Sequence, residues 1–263
     1  FAIMDIMEDV DDDTTNWSMH AILLAPVVLF VIKPHITRFL ESVLFGDTAN
    51  DEINDTPGIP SPQSTLALIK SRRSIFPKDF DGNAPPMEHI EMMLEAANWA
   101  PTHGKTEPWR FCVLAQGQAM DKHGELVREA MLKRLGGESS EKFQAFEQKQ
   151  ARKANGKAKV AFMISIGMKR KALEDKLMPE WEEMCAVASA VQNLHLMATS
   201  LGVSGYWSSG GPLDDPALLA LLGLDHASGD KCLGIFNVGM APAEKVSAYR
   251  AKRGDIKEKT RFI

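Results

Sequence analysis

A polar loop between a helical pattern and an apolar run is the feature that most narrows the folds open to this chain. Apolar residues at helical spacing, Ile90, Met93 and Ala97, stop before Pro101, because proline disfavours helical backbone in the residue before it. Residues 111–115 are apolar and predict a buried strand. Loops of this kind often carry ligand chemistry in proteins built from helices and strands, although a simple connection has the same pattern.

Two adjacent arginines and a serine form a second candidate element. Arg72, Arg73 and Ser74 follow a short apolar pattern. A guanidinium can donate two parallel hydrogen bonds to a phosphate, and a hydroxyl adds another donor. The same triplet is also typical of a solvated helix end, where positive charge complements the helix dipole. On these residues alone, both interpretations stay open.

Glycine-rich and apolar segments complete the pattern. A long helix is predicted for residues 181–200, and Gly202 stands where a helix C-cap belongs. The small residues that follow offer free backbone donors, and residues 231–242 predict an apolar strand that ends in a turn. The order of helices and strands indicates an α+β layout around one mixed sheet.

The motifs together resemble the nitroreductase family of FMN-dependent oxidoreductases, closest to its small bacterial NAD(P)H nitroreductase subgroup. The resemblance covers about residues 60–263 and rests on Arg72-Arg73-Ser74, Ala100-Pro101 through Pro108-Trp109-Arg110-Phe111, Ala190-Val191-Gln192-Asn193-Leu194 through Gly205-Tyr206-Trp207, and Val238-Gly239-Met240-Ala241-Pro242. It implies a nitroreductase-like FMN-binding, three-layer α/β/α fold with a mixed, mostly antiparallel central sheet.

The resemblance also implies the cofactors and the residues that bind them. FMN is the expected cofactor and NAD(P)H the electron donor, in a homodimer whose two active sites are each built from both chains. The implied FMN contacts are Arg72, Arg73, Ser74 and Arg253 (or Arg250) at the phosphate, His103 and Glu107 from the partner subunit, and Trp207, Ser208 and Ser209 along the isoalloxazine ring.

Two of these positions have more than one interpretation. His103 is either a proton donor or a hydrogen-bonding partner of the flavin or its ribityl chain. Glu107 departs from the glutamine of some relatives, and its carboxylate would repel negative charge on reduced flavin unless it bonds a hydroxyl. No catalytic residue and no metal ligand is assigned, because the flavin carries the chemistry.

The predicted function is hydride transfer from NAD(P)H through FMN to a small organic acceptor such as a nitroaromatic compound or a quinone. One alternative is reductive dehalogenation, because Thr106-Glu107-Pro108-Trp109 is similar to the deiodinases, although no clear lid motif for an amino-acid substrate is found. A second alternative is a flavin-binding module without turnover. A third is a membrane-associated scaffold.

Composition and charge limit the other classes. The net charge of -5 argues against a nucleic-acid partner, which usually meets a basic surface. Cys112, Cys185 and Cys232 each lie in an apolar pattern without metal-ligand spacing, which predicts three buried thiols in the cytoplasm or another reducing compartment. Charged residues 117–159, broken at Gly136 and Gly137, predict either a substrate lid or a solvated helical hairpin.

Residues 1–60 are predicted to be an extension, ahead of an FMN-binding domain at residues 61–263. Residues 17–45 are largely apolar, but their densest part, residues 21–32, is shorter than the roughly 20 residues that span a bilayer. A short anchor, an interfacial helix and an arm packed on the dimer partner all stay open, and so does membrane contact. Residues 47–62 predict a linker. The chain starts at Phe1, so whether a piece of a longer precursor is missing stays open.

Overall fold

The structure is a computed structural model and describes residues 58–173 and 176–263. Its helices are α1 (Pro62–Ser71), α2 (Met87–Asn98), α3 (Gln118–Arg134), α4 (Glu141–Lys157), α5 (Glu180–Ser200), α6 (Pro216–Leu221) and α7 (Ala243–Ala248). Its strands are β1 (Trp109–Ala115), β2 (Phe162–Met168), β3 (Ala172–Leu173), β4 (Lys176–Leu177), β5 (Ser204–Ser208) and β6 (Lys231–Gly239). Short 3₁₀ helices lie at Pro77–Asp79, His103–Lys105 and Ile256–Lys259.

Four strands form one sheet in the order β1-β2-β6-β5, and β3 pairs with β4 in a separate two-stranded hairpin. All pairings among these strands are antiparallel. The predicted α+β class is therefore confirmed. The described strands contain no parallel pair of the kind that a mixed sheet needs.

Alternating side chains along the strands create two apolar faces, because successive residues of a strand point to opposite sides of the sheet. In β1, Phe111 and Val113 pack into a core shared with α2 and α5. Cys112 and Leu114 instead join a second core that includes side chains of α3 and α6. Helices therefore cover both faces of the sheet, which confirms the predicted α/β/α layers.

Helix ends follow the local signals of the sequence. The predicted helix at residues 181–200 is α5, and Gly202 adopts φ 71° just beyond it, so that the Val203 amide bonds the Ala198 carbonyl at 2.8 Å. Gly136 and Gly137 adopt φ 90° and 91° between α3 and α4. The charged region of residues 117–159 is therefore a pair of helices, as both of its interpretations require.

The three cysteines differ in burial, and one prediction for them is wrong. Cys232 is buried and Cys112 is half-buried, but Cys185 is exposed on α5. The helical pattern around Cys185 did not reveal which face of α5 meets the core. All three thiols are free.

The predicted N-terminal extension lies almost wholly outside the described residues, as does its apolar segment at residues 17–45. The boundary between residues 60 and 61 therefore stays a prediction. Within residues 58–173 and 176–263, no helix is both long enough and apolar enough to cross a membrane.

Candidate functional site

Arg72 and Arg73 leave the end of α1 and are held beside the sheet. The Arg72 amide still bonds the Leu68 carbonyl of α1 at 3.2 Å, and three residues later the Ile75 amide donates to the Gly205 carbonyl of β5 at 3.0 Å. These two bonds fix both ends of the segment that carries Arg72, Arg73 and Ser74. The segment therefore has a set position relative to β5.

His195 of α5 contacts both arginines. Its Nδ1 lies 3.3 Å from Nη1 of Arg72, and its Nε2 lies 2.9 Å from the Arg73 carbonyl oxygen. A guanidinium only donates and a carbonyl only accepts, so Nδ1 accepts from Arg72 and Nε2 carries the proton. Burial, followed by the charge of Arg72, lowers the pKa of His195 to about 4. His195 is therefore neutral at pH 7.

The Arg73 side chain is anchored by backbone carbonyls. Its Nε donates to the Tyr249 carbonyl at 3.0 Å, and its Nη1 donates to the carbonyls of Lys70 and Arg72 at 2.6 Å and 2.8 Å. Carbonyl partners orient a guanidinium without cancelling its charge. Ser74 is half-buried next to it.

Positive charge accumulates here without a matching carboxylate. Burial lowers the pKa of Arg72, and the charges of Arg253 and Arg73 lower it further. Among the described residues, no Asp or Glu forms an ion pair with Arg72, Arg73 or Arg253. Arg253, and not Arg250, is the C-terminal arginine whose charge acts on Arg72. We call these three residues the arginine cluster, and their charge suits a phosphate.

Trp207 and Ser208 lie at the other end of β5 from the Ile75–Gly205 bond. Ser208 follows Gly205 by three positions, which is about 10 Å along a strand. Trp207 is half-buried, and its Nε1 donates to the Leu233 carbonyl at 3.1 Å. The indole is thereby fixed on β6, while Ser209 is exposed just beyond the strand. The structure therefore places residues 72–74 and residues 207–209 at the same strand.

The loop from Pro101 to Pro108 has an unusual backbone. Lys105 and Glu107 adopt φ 54° and 44°, in the left-handed region that few residues other than glycine occupy. The Thr102 hydroxyl supports the turn by accepting from the Glu107 amide at 3.3 Å, and Arg110 Nη1 donates to the Glu107 carbonyl at 2.8 Å. The Glu107 side chain is exposed. Strained loops of this kind occur at functional sites, and here the strain presents a carboxylate to solvent.

His103 lies far from the arginine cluster in the same chain. Its Nδ1 pairs with Oε2 of Glu182, in the first turn of α5. Glu182 and His195 are 13 residues apart on this helix, a separation of about 20 Å at 1.5 Å per residue. The nine predicted cofactor residues therefore fall into two groups, and one chain does not bring His103 and Arg72 together.

An exposed apolar stripe runs along α5 between these two groups. Trp181 and Met184 are 66% and 41% exposed, and Cys185 and Ala188 continue the same face at helical spacing. Helical spacing of Trp181, Met184, Ala188 and Val191 in the sequence is typical of either core or dimer interface. Val191 alone of these is buried.

The described residues also line a cavity of about 420 Å³ between the loops that follow β5 and precede β6. Its lining residues are Gly211, Leu213, Asp214, Leu219, His226, Gly229, Asp230, Lys231, Cys232 and Leu233. None of them is a predicted cofactor residue. Within residues 58–173 and 176–263, no group of His, Cys, Asp or Glu side chains has the geometry to hold a metal ion.

Sequence reasoning missed three residues that shape the site: His195, Tyr249 and Glu182. His195 lies in an apolar helical pattern and resembles a core residue, while Glu182 belongs to an acidic first helical turn. Tyr249 acts through its backbone carbonyl, which no residue type reveals. The position of His195 within an apolar helix face was the one signal in the sequence that could have identified it.

Comparison with known proteins agrees with the family resemblance of the sequence motifs. Residues 69–240 match the model of the nitroreductase family. A Haemophilus influenzae protein named "Putative NAD(P)H nitroreductase" is 28% identical over 180 residues, which cover 68% of this chain and 91% of that protein.

Two solved structures share the fold. The nitroreductase-like family protein from Bacillus cereus is 23% identical with a TM-score of 0.57, covering 78% of this chain and 99% of that one. The FMN-dependent nitroreductase NfnB from Mycobacterium smegmatis, solved in complex with NADPH, is 19% identical with a TM-score of 0.56, covering 76% and 98%.

Proposed function

Because this chain belongs to the nitroreductase family, we propose that it is an FMN-dependent oxidoreductase that transfers hydride from NAD(P)H to a small organic acceptor, such as a nitroaromatic compound or a quinone. The observation that carries the proposal is the arginine cluster, whose charges have no carboxylate partner among the described residues. Bound FMN supplies the two-electron chemistry, and the protein supplies position, charge and shelter from water.

The arginine cluster binds the phosphate of the cofactor. Arg72 is oriented by His195, and Arg73 by the Tyr249 carbonyl, so both guanidiniums are ordered before the ligand arrives. Pre-ordering reduces the entropy lost on binding. The Ser74 hydroxyl adds a donor beside Arg73, and Arg253 adds a third positive charge from the C-terminal segment.

The flavin ring lies along residues 207–209. Because Trp207 is fixed to the Leu233 carbonyl, it offers a rigid apolar wall about 7 Å along β5 from Gly205, beside which the segment with Arg72 is held. Ser208 and Ser209 offer small side chains and backbone donors next to that wall. No catalytic acid or base is assigned to the chain.

The protein works as a homodimer in which each site uses both chains. His103 lies about 20 Å along α5 from the level of Arg72. The apolar stripe of Trp181, Met184, Cys185 and Ala188 lies between them and provides a surface for a second copy. Pairing through this stripe brings the loop with His103 and Glu107 of one chain toward the arginine cluster of its partner.

Residues 61–263 form the FMN-binding domain in this proposal, and residues 1–60 are a separate extension. We expect a chain lacking residues 1–60 to retain flavin binding and turnover. Comparison of this shortened chain with the full chain for membrane partition and activity tests both the domain boundary and the scaffold alternative.

An absorption spectrum of the purified protein, followed by anaerobic addition of NADPH or NADH, tests the proposed activity. We expect flavin bands that bleach with the nicotinamide and return when a nitroaromatic compound or a quinone is added. Flavin bands that do not bleach would indicate a binding module without turnover. Failure to bind added FMN would overturn the proposal. A halogenated phenol used as the oxidant distinguishes reductive dehalogenation.

Matched arginine variants test the phosphate site. We expect Arg72→Ala and Arg73→Ala to weaken FMN binding by tenfold or more, since hydrogen bonds to charged groups contribute about 1.5–3 kcal/mol each. Riboflavin, which has no phosphate, serves as the control ligand, and its affinity should not change. Arg128→Ala, at an exposed ion pair of α3, serves as the control variant.

A further inference from the structure

The Arg72 side chain has one described side-chain partner, and that partner is a histidine. Arg72 is half-buried, and Nη1 lies 3.3 Å from Nδ1 of His195. This contact joins residues 123 positions apart in the sequence, so it exists only in the folded protein. Nothing in the family resemblance assigned a role to His195.

His195 itself has little freedom to move. Its side chain is 6% exposed, and its ring meets the ring of Phe236 edge-on with centroids 4.9 Å apart. Its Nε2 donates to the Arg73 carbonyl at 2.9 Å, which fixes the ring and leaves Nδ1 as an acceptor. A fixed acceptor of this kind determines where the Arg72 guanidinium points.

We propose that His195 is the positioning residue of the cofactor phosphate site: neutral His195 accepts a hydrogen bond from Arg72 and aims its guanidinium at the phosphate, and protonation of His195 releases it. The inference rests on the proposed function, in which Arg72 binds the FMN phosphate. It adds a residue that does not touch the ligand and a pH dependence of cofactor binding.

Burial and the charge of Arg72 oppose protonation of His195, and only the hydrogen bond to the Arg73 carbonyl favours it. The residues that face the ring are Arg72 and Arg73 from the segment after α1 and the uncharged Phe236 from β6, with the charge of Arg253 acting on Arg72. A protonated His195 would have two N–H donors and would lose the acceptor for Arg72. It would also place a positive charge against that of Arg72. FMN release on acidification therefore follows from the same contacts.

Two substitutions separate the two hydrogen bonds of His195. The amide of His195→Asn reaches the position of Nδ1 and can accept from Arg72, but it is too short to reach the Arg73 carbonyl. The amide of His195→Gln reaches the position of Nε2 and can donate to Arg73, but it leaves Arg72 without its acceptor. Both variants lose the ring contact with Phe236, so each is a control for packing in the other.

The experiment measures binding of FMN and of riboflavin to the full chain, after removal of flavin, by flavin fluorescence between pH 7.5 and 4. At pH 7.5 we expect His195→Asn to keep the wild-type preference for FMN over riboflavin, and His195→Gln to reduce it by about threefold to tenfold, the range for one hydrogen bond. Riboflavin affinity should be equal in both variants.

The pH series adds a readout that a packing role would not change. The FMN phosphate itself titrates near pH 6, so all variants lose some preference for FMN on acidification. We expect the wild type to lose more than His195→Asn toward pH 4, near the pKa of His195, because only the wild type also protonates residue 195. Histidine-selective ¹⁵N NMR of the wild type should show a neutral ring with the proton on Nε2 at pH 7.

Three results would overturn the inference. If both variants keep the wild-type preference, or lose it equally, His195 does not position Arg72. If the wild type and His195→Asn have the same pH dependence, protonation of His195 does not release Arg72. If the wild type binds FMN and riboflavin equally, the proposed phosphate site fails and the inference fails with it; a failure of the inference alone leaves the phosphate preference intact.

Discussion

Arg170 Nε lies 2.5 Å from Oε2 of Glu183, and this ion pair joins the segment after β2 to the first turns of α5. The two side chains are 12% and 2% exposed. Arg170 also donates to Glu180 at 3.1 Å and to the Met178 carbonyl at 2.8 Å. The residues that lead from the sheet into the helix carrying Glu182 and His195 are therefore held by one guanidinium.

We expect Arg170→Met to lower the free energy of unfolding by about 3–5 kcal/mol, because Glu183 would stay buried without its counter-charge. Urea unfolding measures the change. The double variant Arg170→Met with Glu183→Leu should recover much of the loss, since it leaves no charge unpaired. Arg134→Met, at the exposed pair with Asp214, is the control and should cost about 1 kcal/mol or less. Equal losses in the buried and exposed variants would contradict the prediction.

Gly234 allows the Trp207 indole to approach the backbone of β6. A Cβ at this position would clash with the indole and would lie 2.5 Å from the Ser208 carbonyl oxygen, and Gly234 adopts φ 140°. We expect Gly234→Ala to cost about 1–3 kcal/mol more than the control Gly223→Ala, because only the first forces the indole and the Ser208 backbone to move and because alanine tolerates φ 140° less well than φ 74°. Gly223 has φ 74°, and a methyl group added there would meet nothing within 4 Å. Urea unfolding of both variants makes the comparison, and equal costs would show that close packing of Trp207 and Ser208 does not limit this position.

Two histidines make the protein sensitive to acid. Burial lowers the pKa of His195 and of His123 to about 4, with further lowering by Arg72 and by Lys157 respectively. The unfolded chain binds these protons near pH 6.5, so their contribution to stability is complete above that pH and is lost as the pH falls from 6.5 toward 4.

We expect each histidine to add up to about 1.4 kcal/mol per pH unit to the slope of unfolding free energy in this window. His123→Gln and His195→Asn should each reduce that slope. Urea unfolding at intervals between pH 7 and 5 measures it, and carboxylates contribute equally to every variant. Parallel curves for the wild type and both variants would refute this account.

The apolar stripe on α5 predicts the oligomeric state. We expect Trp181→Glu to convert a dimer to monomer and to lower FMN affinity, because a charge would be buried in the proposed interface and the partner loop would be lost. Light scattering after size-exclusion chromatography gives the mass. Gln148→Glu, an exposed position on α4, adds the same charge and should leave the dimer unchanged. A dimer that persists in Trp181→Glu would place the interface elsewhere.

Local sequence signals predicted much of this fold. The helix at residues 181–200, its end at Gly202 and the break at Gly136 and Gly137 depend on periodicity and on glycine, which act over a few residues. The burial of Cys185 was predicted wrongly because burial depends on tertiary packing, which local signals do not contain. A helix pattern gives the period of the apolar face but does not state which part of it the sheet covers.

The candidate site likewise has a part that the sequence predicted and a part that it did not. The residue types of Arg72, Arg73 and Ser74 were enough to indicate an anion site, because their chemistry is local to three neighbours. The association of Arg72 with His195, of Arg73 with Tyr249 and of His103 with Glu182 was not predictable, because each joins residues 79 to 176 positions apart.

The sequence by itself determined the order of helices and strands and the chemical types of the candidate residues, because periodicity, caps and side-chain chemistry are properties of short segments. Tertiary structure alone decided that His195 orients Arg72, that Gly234 admits the Trp207 indole, and that His103 lies about 20 Å from the level of Arg72. These relations depend on how α5 packs on the sheet, and packing sums weak contacts over the whole chain.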